Sequence, residues 1–139
     1  MTTHTVHTTY RNIGAQTMIK AGDHQFIADE PTMFRGTDAG PSPVQYLLGA
    51  VGACLGASAA SLVNRPKSTI KIKKFEVTVT GETERQANGA SRVTKINVKL
   101  TCETNLNQEE NRQFIEEVIH LCTVHNTLEE AVEFTFDIN

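Results

Sequence analysis

The stretch from Gly40 to Val63, GPSPVQYLLGAVGACLGASAASLV, constrains the fold more than any other part of the sequence. Ser42 suits a helix N-cap and Pro43 suits the first helical position, so the stretch predicts a helix that begins there. Three glycines lie inside this helix, at Gly49, Gly52 and Gly56. Each costs about 1 kcal/mol relative to alanine, a cost that needs a compensating reason. Because small residues let another backbone approach closely, we expect this helix at the centre of the structure, against a partner helix.

Strand patterns lie on both sides of the central helix. Before it, β-branched residues predict two or three short strands, with a turn around Asn12 and Gly14. The prolines and glycines of residues 31–41 predict a loop. After it, residues 70–84 and 92–104 alternate between apolar and polar side chains and predict two long strands. We expect an irregularity at Lys73-Lys74 and a hairpin loop around Asn88-Gly89.

The last third of the chain predicts a second helix and a final strand. Asn107 suits an N-cap, and residues 108–122 place apolar side chains at helical spacing. A short connection then leads to an alternating strand over residues 132–138. This order of elements favours an α+β fold with an antiparallel sheet and helices on one face. The length suits one domain, so we expect residues 1–139 to fold as a single unit.

Composition and charge exclude several classes of protein. The net charge of −3 argues against a nucleic-acid partner, because phosphate binding requires a basic surface. We find no uninterrupted apolar run of the roughly 18 residues that a membrane helix needs, and no secretory signal at the N-terminus. We therefore expect a cytoplasmic protein without a membrane partner. Three cysteines in such a chain do not suggest a structural disulfide framework, and any pairing is expected to be transient and catalytic.

Position alone favours packing over chemistry at Cys54 and Cys102, and leaves the two open at Cys122. Cys54 lies among small and apolar residues, too far along its helix to feel the positive N-terminal end, so a reactive thiolate there needs a cation from elsewhere. Cys122 ends the apolar stripe of the second helix, and Cys102 continues the apolar face of a strand. Cys122 and His125 form a Cys-x-x-His pair, which leaves a metal site open as an alternative. Zinc usually requires four ligands, however, and only this pair is visible, so we expect no metal.

Three motifs carry a resemblance to a known family. The first is a DEP-x-x-x-x-G-T-D-x-G-P-S-P loop from Asp29 to Pro43, and the second is Leu-Leu-x-Ala-x-Gly-Ala-Cys, which ends at Cys54. The third is Cys-x-Val-His-x-Thr-Leu over residues 122–128. Together with the order of elements they resemble the OsmC/Ohr family, that is, osmotically inducible protein C and the organic hydroperoxide resistance proteins. The family typically has proline where this chain has Thr123.

The resemblance implies a fold and a set of reactive residues. Family members are intertwined homodimers in which antiparallel sheets wrap around two long central helices, which would explain the glycine content of the central helix. The resemblance assigns Cys54 as the peroxidatic cysteine and Cys122 as the resolving cysteine, with no cofactor. The family also uses an arginine to stabilise the thiolate. Arg35 is the first candidate for this residue in the present chain, and Arg11 is the second.

One position departs from the family pattern. The family commonly has a glutamate after the proline that opens the helix, but this chain has Val44 there, followed by Gln45. Glu30 of the preceding loop is the candidate replacement.

The resemblance implies a thiol-dependent peroxidase that reduces organic hydroperoxides in oxidative or osmotic stress defence. A dithiol or a protein thiol would reduce the enzyme again. The missing carboxylate leaves an alternative function: a dimeric redox-sensing or small-molecule-binding protein with weak or no peroxidase activity.

Overall fold

The computed structural model describes all 139 residues, which fall into two compact units, Met1–Leu47 and Leu48–Asn139. The first unit contains an antiparallel sheet of three short strands in sequence order: β1 (His7–Tyr10), β2 (Thr17–Ala21) and β3 (His24–Ala28). Asn12 and Gly14 adopt positive φ between β1 and β2, which confirms the predicted turn. That the whole chain acts as one domain stays a prediction.

The predicted loop after β3 is confirmed and contains one 3₁₀ turn, Thr32–Phe34, which ends at Arg35. Gly36 lies where the loop folds back on itself. A Cβ there would come within 1.8 Å of the Glu30 carbonyl oxygen, so only glycine fits this position.

The central helix, α1, runs from Pro43 to Val63, as predicted. Ser42 and Gln45 form a reciprocal cap at its start. The Gln45 N–H donates to Ser42 Oγ at 3.3 Å, and the Ser42 N–H donates to Gln45 Oε1 at 2.8 Å. Gln45 is therefore committed to the helix cap.

From the sequence we expect no apolar segment long enough for a membrane helix, and this expectation is wrong for α1. By length and composition alone this helix could cross a membrane, since an 18-residue window has a mean hydropathy of 1.7. The polar residues that interrupt its apolar run, Gln45, Ser58 and Ser61, are uncharged and leave the mean hydropathy high. The core helix of a soluble protein passes the same test, but here only 28% of the window is buried. In the second unit, α1 buries one face and exposes a row of small residues: Gly49, Ala53, Ala57 and Ala60.

The second unit contains the rest of the predicted elements and one more. They are β4 (Ile72–Arg85), β5 (Ser91–Thr104), α2 (Gln108–Leu121), α3 (Thr123–Leu128) and β6 (Glu133–Ile138). β4 and β5 pair antiparallel, with a register shift between Ile72 and Lys74 that confirms the predicted irregularity. Gly89 has a φ of 86° in the hairpin loop. The predicted short connection after α2 is wrong, because its first part forms α3.

The last strand also differs from the expected antiparallel pairing, since β6 runs parallel to β5. The physical reason is the crossover. α2 and α3 carry the chain back to the start of β5, so β6 leaves in the same direction. The α+β class is confirmed.

The hydrophobic core lies in the second unit, where α1, β5 and α2 meet. The most buried side chains of β5 alternate along one face, as predicted, and they are Ile96, Val98, Leu100 and Cys102. From α1, Val51, Leu55, Ala59 and Leu62 pack against them, and α2 adds Phe114, Ile115 and Val118. This arrangement places the middle of α1 and the end of α2 on the same core.

Candidate functional site

Two of the predicted site residues, Cys54 and Cys122, come together in the second unit. Cys54 is half-buried on α1 and packs against the core, whereas Cys122 is 0% exposed at the junction of α2 and α3. Both are free thiols. The Cys54 thiol is one of the groups that raise the pKa of Cys122, so the two sulfur atoms are neighbours although they are distant in sequence.

Burial is the main influence on Cys122 and raises the pKa of its thiol to about 11. The backbone N–H groups of His125 and Val124, at the start of α3, lower this pKa, and Cys54 raises it. Neither N–H makes a regular cap hydrogen bond to the sulfur. No arginine or lysine is among the groups that shift this pKa. Cys122 is therefore a neutral thiol at physiological pH, beside a second thiol that is more accessible.

His125 is the third polar side chain at this place. It is 8% exposed, and its ring packs edge-on against Phe134 and Phe136, with centroids 4.8 and 5.3 Å away. Its Nε2 lies 3.6 Å from Glu129 Oε2, while its Nδ1 is buried without a hydrogen-bond partner. The sequence hypothesis considered His125 only as a metal ligand. No group of three or more histidine, cysteine or acidic side chains that could hold a metal ion is present.

In the first unit, sequence reasoning missed the role of Asp29, which is 1% exposed. Its Oδ1 accepts hydrogen bonds from the N–H groups of Ala15 and Glu30, at 3.1 and 2.8 Å. Its Oδ2 accepts from the N–H and hydroxyl of Thr37 and from the Ala39 N–H, at 3.1, 2.5 and 3.0 Å. The carboxylate thus holds together the loop that carries Glu30. The sequence signals were an aspartate that opens a loop rich in turn residues and its place at the start of the DEP motif.

We expect Asp29→Asn to lower the thermal stability of the protein by several degrees and to loosen residues 30–40. The Thr37 hydroxyl bond, followed by the backbone donors, holds the pKa of Asp29 far below its usual 3.8. The carboxylate therefore stabilises the fold fully above about pH 4, and this contribution is lost as the pH falls below that value. Melting curves at pH 7 and pH 3 test this. The loss of stability on acidification should be smaller in the variant, and an equal loss in both proteins would contradict the assignment.

The remaining predicted site residues lie in the first unit. The Glu30 backbone takes part in the loop, with its carbonyl accepting the Asp38 N–H at 3.1 Å, and its carboxylate makes no ion pair. Arg35 is exposed, with φ of 67°, and its guanidinium makes no hydrogen bond or ion pair. Arg11 donates from Nη1 to Gln16 Oε1 at 3.2 Å. Val44, at the position of the expected carboxylate, is 40% exposed. The roles of Glu30, Arg35 and Arg11 stay predictions.

One comparison with known proteins identifies a family, and another identifies solved structures with the same fold. The family model described as OsmC-like protein matches residues 36–137. An OsmC-like protein from Mycoplasma pneumoniae is 23% identical, with a TM-score of 0.83 and coverage of 99% of this chain and 95% of its own. An organic hydroperoxide resistance protein from Legionella pneumophila (13% identity, TM-score 0.76, coverage 100% and 98%) has the same fold. An organic hydroperoxide resistance protein from Elizabethkingia anophelis also has this fold, with 17% identity, a TM-score of 0.76 and coverage of 100% of this chain and 96% of its own. The search of curated proteins finds no match.

Proposed function

The chain belongs to the OsmC-like protein family, and from this premise we propose that it is a thiol-dependent peroxidase that reduces organic hydroperoxides in a stress response. The observation that carries the proposal is the pair of neighbouring free thiols, one half-buried and one fully buried, on the core of the second unit. Two solved structures with this fold are named organic hydroperoxide resistance proteins, which supports a redox role in stress.

The proposed reaction has three steps. The Cys54 thiolate attacks the terminal oxygen of the hydroperoxide, so that an S–O bond forms, the O–O bond breaks and Cys54 becomes a sulfenic acid. The departing alkoxide takes one proton from solvent and leaves as an alcohol. The Cys122 thiol then attacks the Cys54 sulfur, so that an S–S bond forms, the S–O bond breaks and water leaves. A dithiol or protein thiol reduces this disulfide by exchange and is itself oxidised. The half-buried Cys54 is the sulfur that a substrate can reach, whereas Cys122 is fully buried.

The surroundings of Cys54 favour an organic substrate. Cys54 packs on an apolar core, and such a surface favours the alkyl group of an organic hydroperoxide over hydrogen peroxide. The same apolar surroundings disfavour a thiolate, so a cation must stand beside it in the working enzyme. We assign this role to Arg35, with Arg11 as the alternative, and the orienting carboxylate to Glu30.

The working protein is proposed to be a homodimer. The exposed face of α1 is apolar and made of small residues, and a Cβ added at Gly49 or Gly56 would meet no atom within 4 Å. A second copy of the helix could pack closely against such a surface. Sedimentation analysis should give twice the chain mass of 15.3 kDa, and a monomer at micromolar concentration would refute the dimer.

The test of the function is consumption of cumene hydroperoxide by the reduced protein with excess dithiothreitol. We expect many turnovers per chain and a higher kcat/KM for cumene hydroperoxide than for hydrogen peroxide. A rate equal to that of dithiothreitol alone, with several other dithiols and thioredoxin-type reductants also failing, would refute the proposal.

A redox sensor or small-molecule-binding protein is the second candidate, favoured by the start of α1. Val44 offers no carboxylate, and the Gln45 side chain is engaged in the helix cap. A sensor would oxidise Cys54 once and slowly, and would not turn over with a dithiol. Fast multiple turnover in the same assay excludes this candidate.

A further inference from the structure

His125 is a buried polar side chain whose position has no evident packing reason. Its ring is 8% exposed and packs against two phenylalanines, apolar surroundings that do not themselves require a polar side chain. Its Nδ1 is the one buried side-chain nitrogen or oxygen atom of the chain that has no hydrogen-bond partner. An unpaired buried polar atom destabilises a fold, so its presence calls for another explanation.

The neighbours of His125 form a line along one side of α3. Cys122 caps this helix, His125 lies in its first turn, and Glu129 follows at its end. The spacing of three and then four residues places the three side chains on one face. A side chain at the third helical position turns back toward the cap residue, here Cys122. Glu129 Oε2, 3.6 Å from Nε2, favours the tautomer with its proton on Nε2, which leaves Nδ1 as an acceptor.

The proposed resolving step needs a proton acceptor at this place. Burial raises the pKa of Cys122 to about 11. At pH 7 only about one Cys122 in 10⁴ would then be a thiolate, the form that attacks sulfur. Because Cys122 is 0% exposed, bulk water does not reach its proton directly.

We propose that His125 is the acid–base residue of the resolving step and that Glu129 positions it, an inference that rests on the proposed peroxidase function. Nδ1 takes the proton from the Cys122 thiol as its sulfur attacks the Cys54 sulfenic acid. As the S–O bond breaks, Nδ1 returns this proton to the departing hydroxide, which leaves as water. The S–S bond is formed, and the imidazole ends neutral. In the resting, reduced protein Nδ1 is free, and such contacts commonly tighten only during the reaction.

The test compares the full chain with its His125→Gln and His125→Phe variants. Each reduced protein receives one equivalent of cumene hydroperoxide, and quenched-flow mass spectrometry follows dimedone-trapped sulfenic acid and the Cys54–Cys122 disulfide. We expect unchanged formation of the sulfenic acid and an about hundredfold slower disulfide step in both variants. Glu129→Gln should slow the same step to a smaller extent, because it removes only the orienting charge.

The pH profile separates a proton-transfer role from a packing role. Without the base, only free Cys122 thiolate attacks, so the disulfide rate of both His125 variants should rise about tenfold per pH unit between about pH 6 and 9. The wild-type rate should rise less steeply. Besides His125, the titratable groups at this place are Cys122, Cys54 and Glu129, and on β6 the ring packs against the uncharged Phe134 and Phe136.

Two controls keep the outcomes distinct. His120→Gln changes an exposed histidine of α2 and should leave every step unchanged. His125→Phe keeps an aromatic ring against Phe134 and Phe136, so its melting temperature reports whether folding is preserved. Disulfide rates equal to wild type in both His125 variants would overturn the inference and leave the peroxidase proposal standing.

A wild-type protein that forms no sulfenic acid with any hydroperoxide would overturn the peroxidase proposal instead. In that case the Cys54–Cys122 disulfide is formed with diamide, and the rate of its reduction by dithiothreitol is measured. This rate also reports on His125, because Cys122 leaves as a thiolate and must regain a proton. Equal reduction rates in the wild type and in the His125 variants would then remove the acid–base role as well.

Discussion

Cys54→Ser is expected to reduce hydroperoxide turnover to the level of the reductant alone, a loss of roughly 10³-fold or more. The reason is that a serine hydroxyl stays protonated and does not attack the O–O bond at neutral pH. Cys122 does not replace it, because that thiol is 0% exposed and burial raises its pKa to about 11. The measurement is consumption of cumene hydroperoxide with excess dithiothreitol. Sulfenic acid is trapped in a Cys122→Ser background without dithiothreitol, where the number trapped per chain should fall from one to none when Cys54 is also replaced.

Cys102→Ala is the matched control for this variant. Cys102 is 4% exposed on β5, and burial raises the pKa of its thiol, so it stays neutral and out of reach of substrate. We expect this variant to keep the wild-type rate even if its melting temperature falls. Full activity in Cys54→Ser would contradict the assignment of the nucleophile, and so would loss of activity in Cys102→Ala from a folded protein.

The parts of the fold that the sequence predicts correctly depend on local patterns. β5 alternates strictly, and its apolar positions, from Ile96 to Cys102, are the buried ones. The Ser-Pro start of α1 and the Asn107 cap of α2 satisfy backbone N–H groups within a few residues of themselves. Such features need no knowledge of the rest of the chain, so pattern and periodicity suffice.

The missed features depend on contacts between distant residues or on very short elements. α3 has only six residues, too few for a periodicity to show. The direction of β6 is set by the path of the two helices before it, which no alternation in the strand encodes. Asp29 binds groups at Ala15, Thr37 and Ala39, and this set exists only once the loop has folded back.

The sequence identified the residues of the candidate site but not how the fold brings them together. The resemblance pointed to Cys54 and Cys122, whose adjacency depends on the packing of α1 against the end of α2 and is not visible in the spacing. The acid–base candidate, His125, was visible as part of a Cys-x-x-His pair. Its burial, its free Nδ1 and its carboxylate partner Glu129 became apparent only in the folded chain.

Cys122→Ser is expected to stop the reaction after its first step. The Cys54 thiolate still attacks the hydroperoxide, so the first equivalent is consumed at the wild-type rate. Serine does not attack the sulfenic acid, which then waits for an external thiol. We expect steady-state turnover to fall by about tenfold or more under excess hydroperoxide, because the persistent sulfenic acid is oxidised further to the sulfinic acid, which thiols do not reduce.

The stalled sulfenic acid gives this variant a signature that mere damage to the fold would not produce. With excess cumene hydroperoxide, Cys54 should proceed to the sulfinic acid in Cys122→Ser, while the wild type should stop at the disulfide. Mass spectrometry of the Cys54 peptide measures the two-oxygen adduct. Cys122 lies in the core, so a Cys122→Ala variant, which buries no hydroxyl, should give the same adduct if the fold is intact. A wild-type rate of turnover without over-oxidation in both variants would show that Cys122 is not the resolving thiol and that a second group protects Cys54.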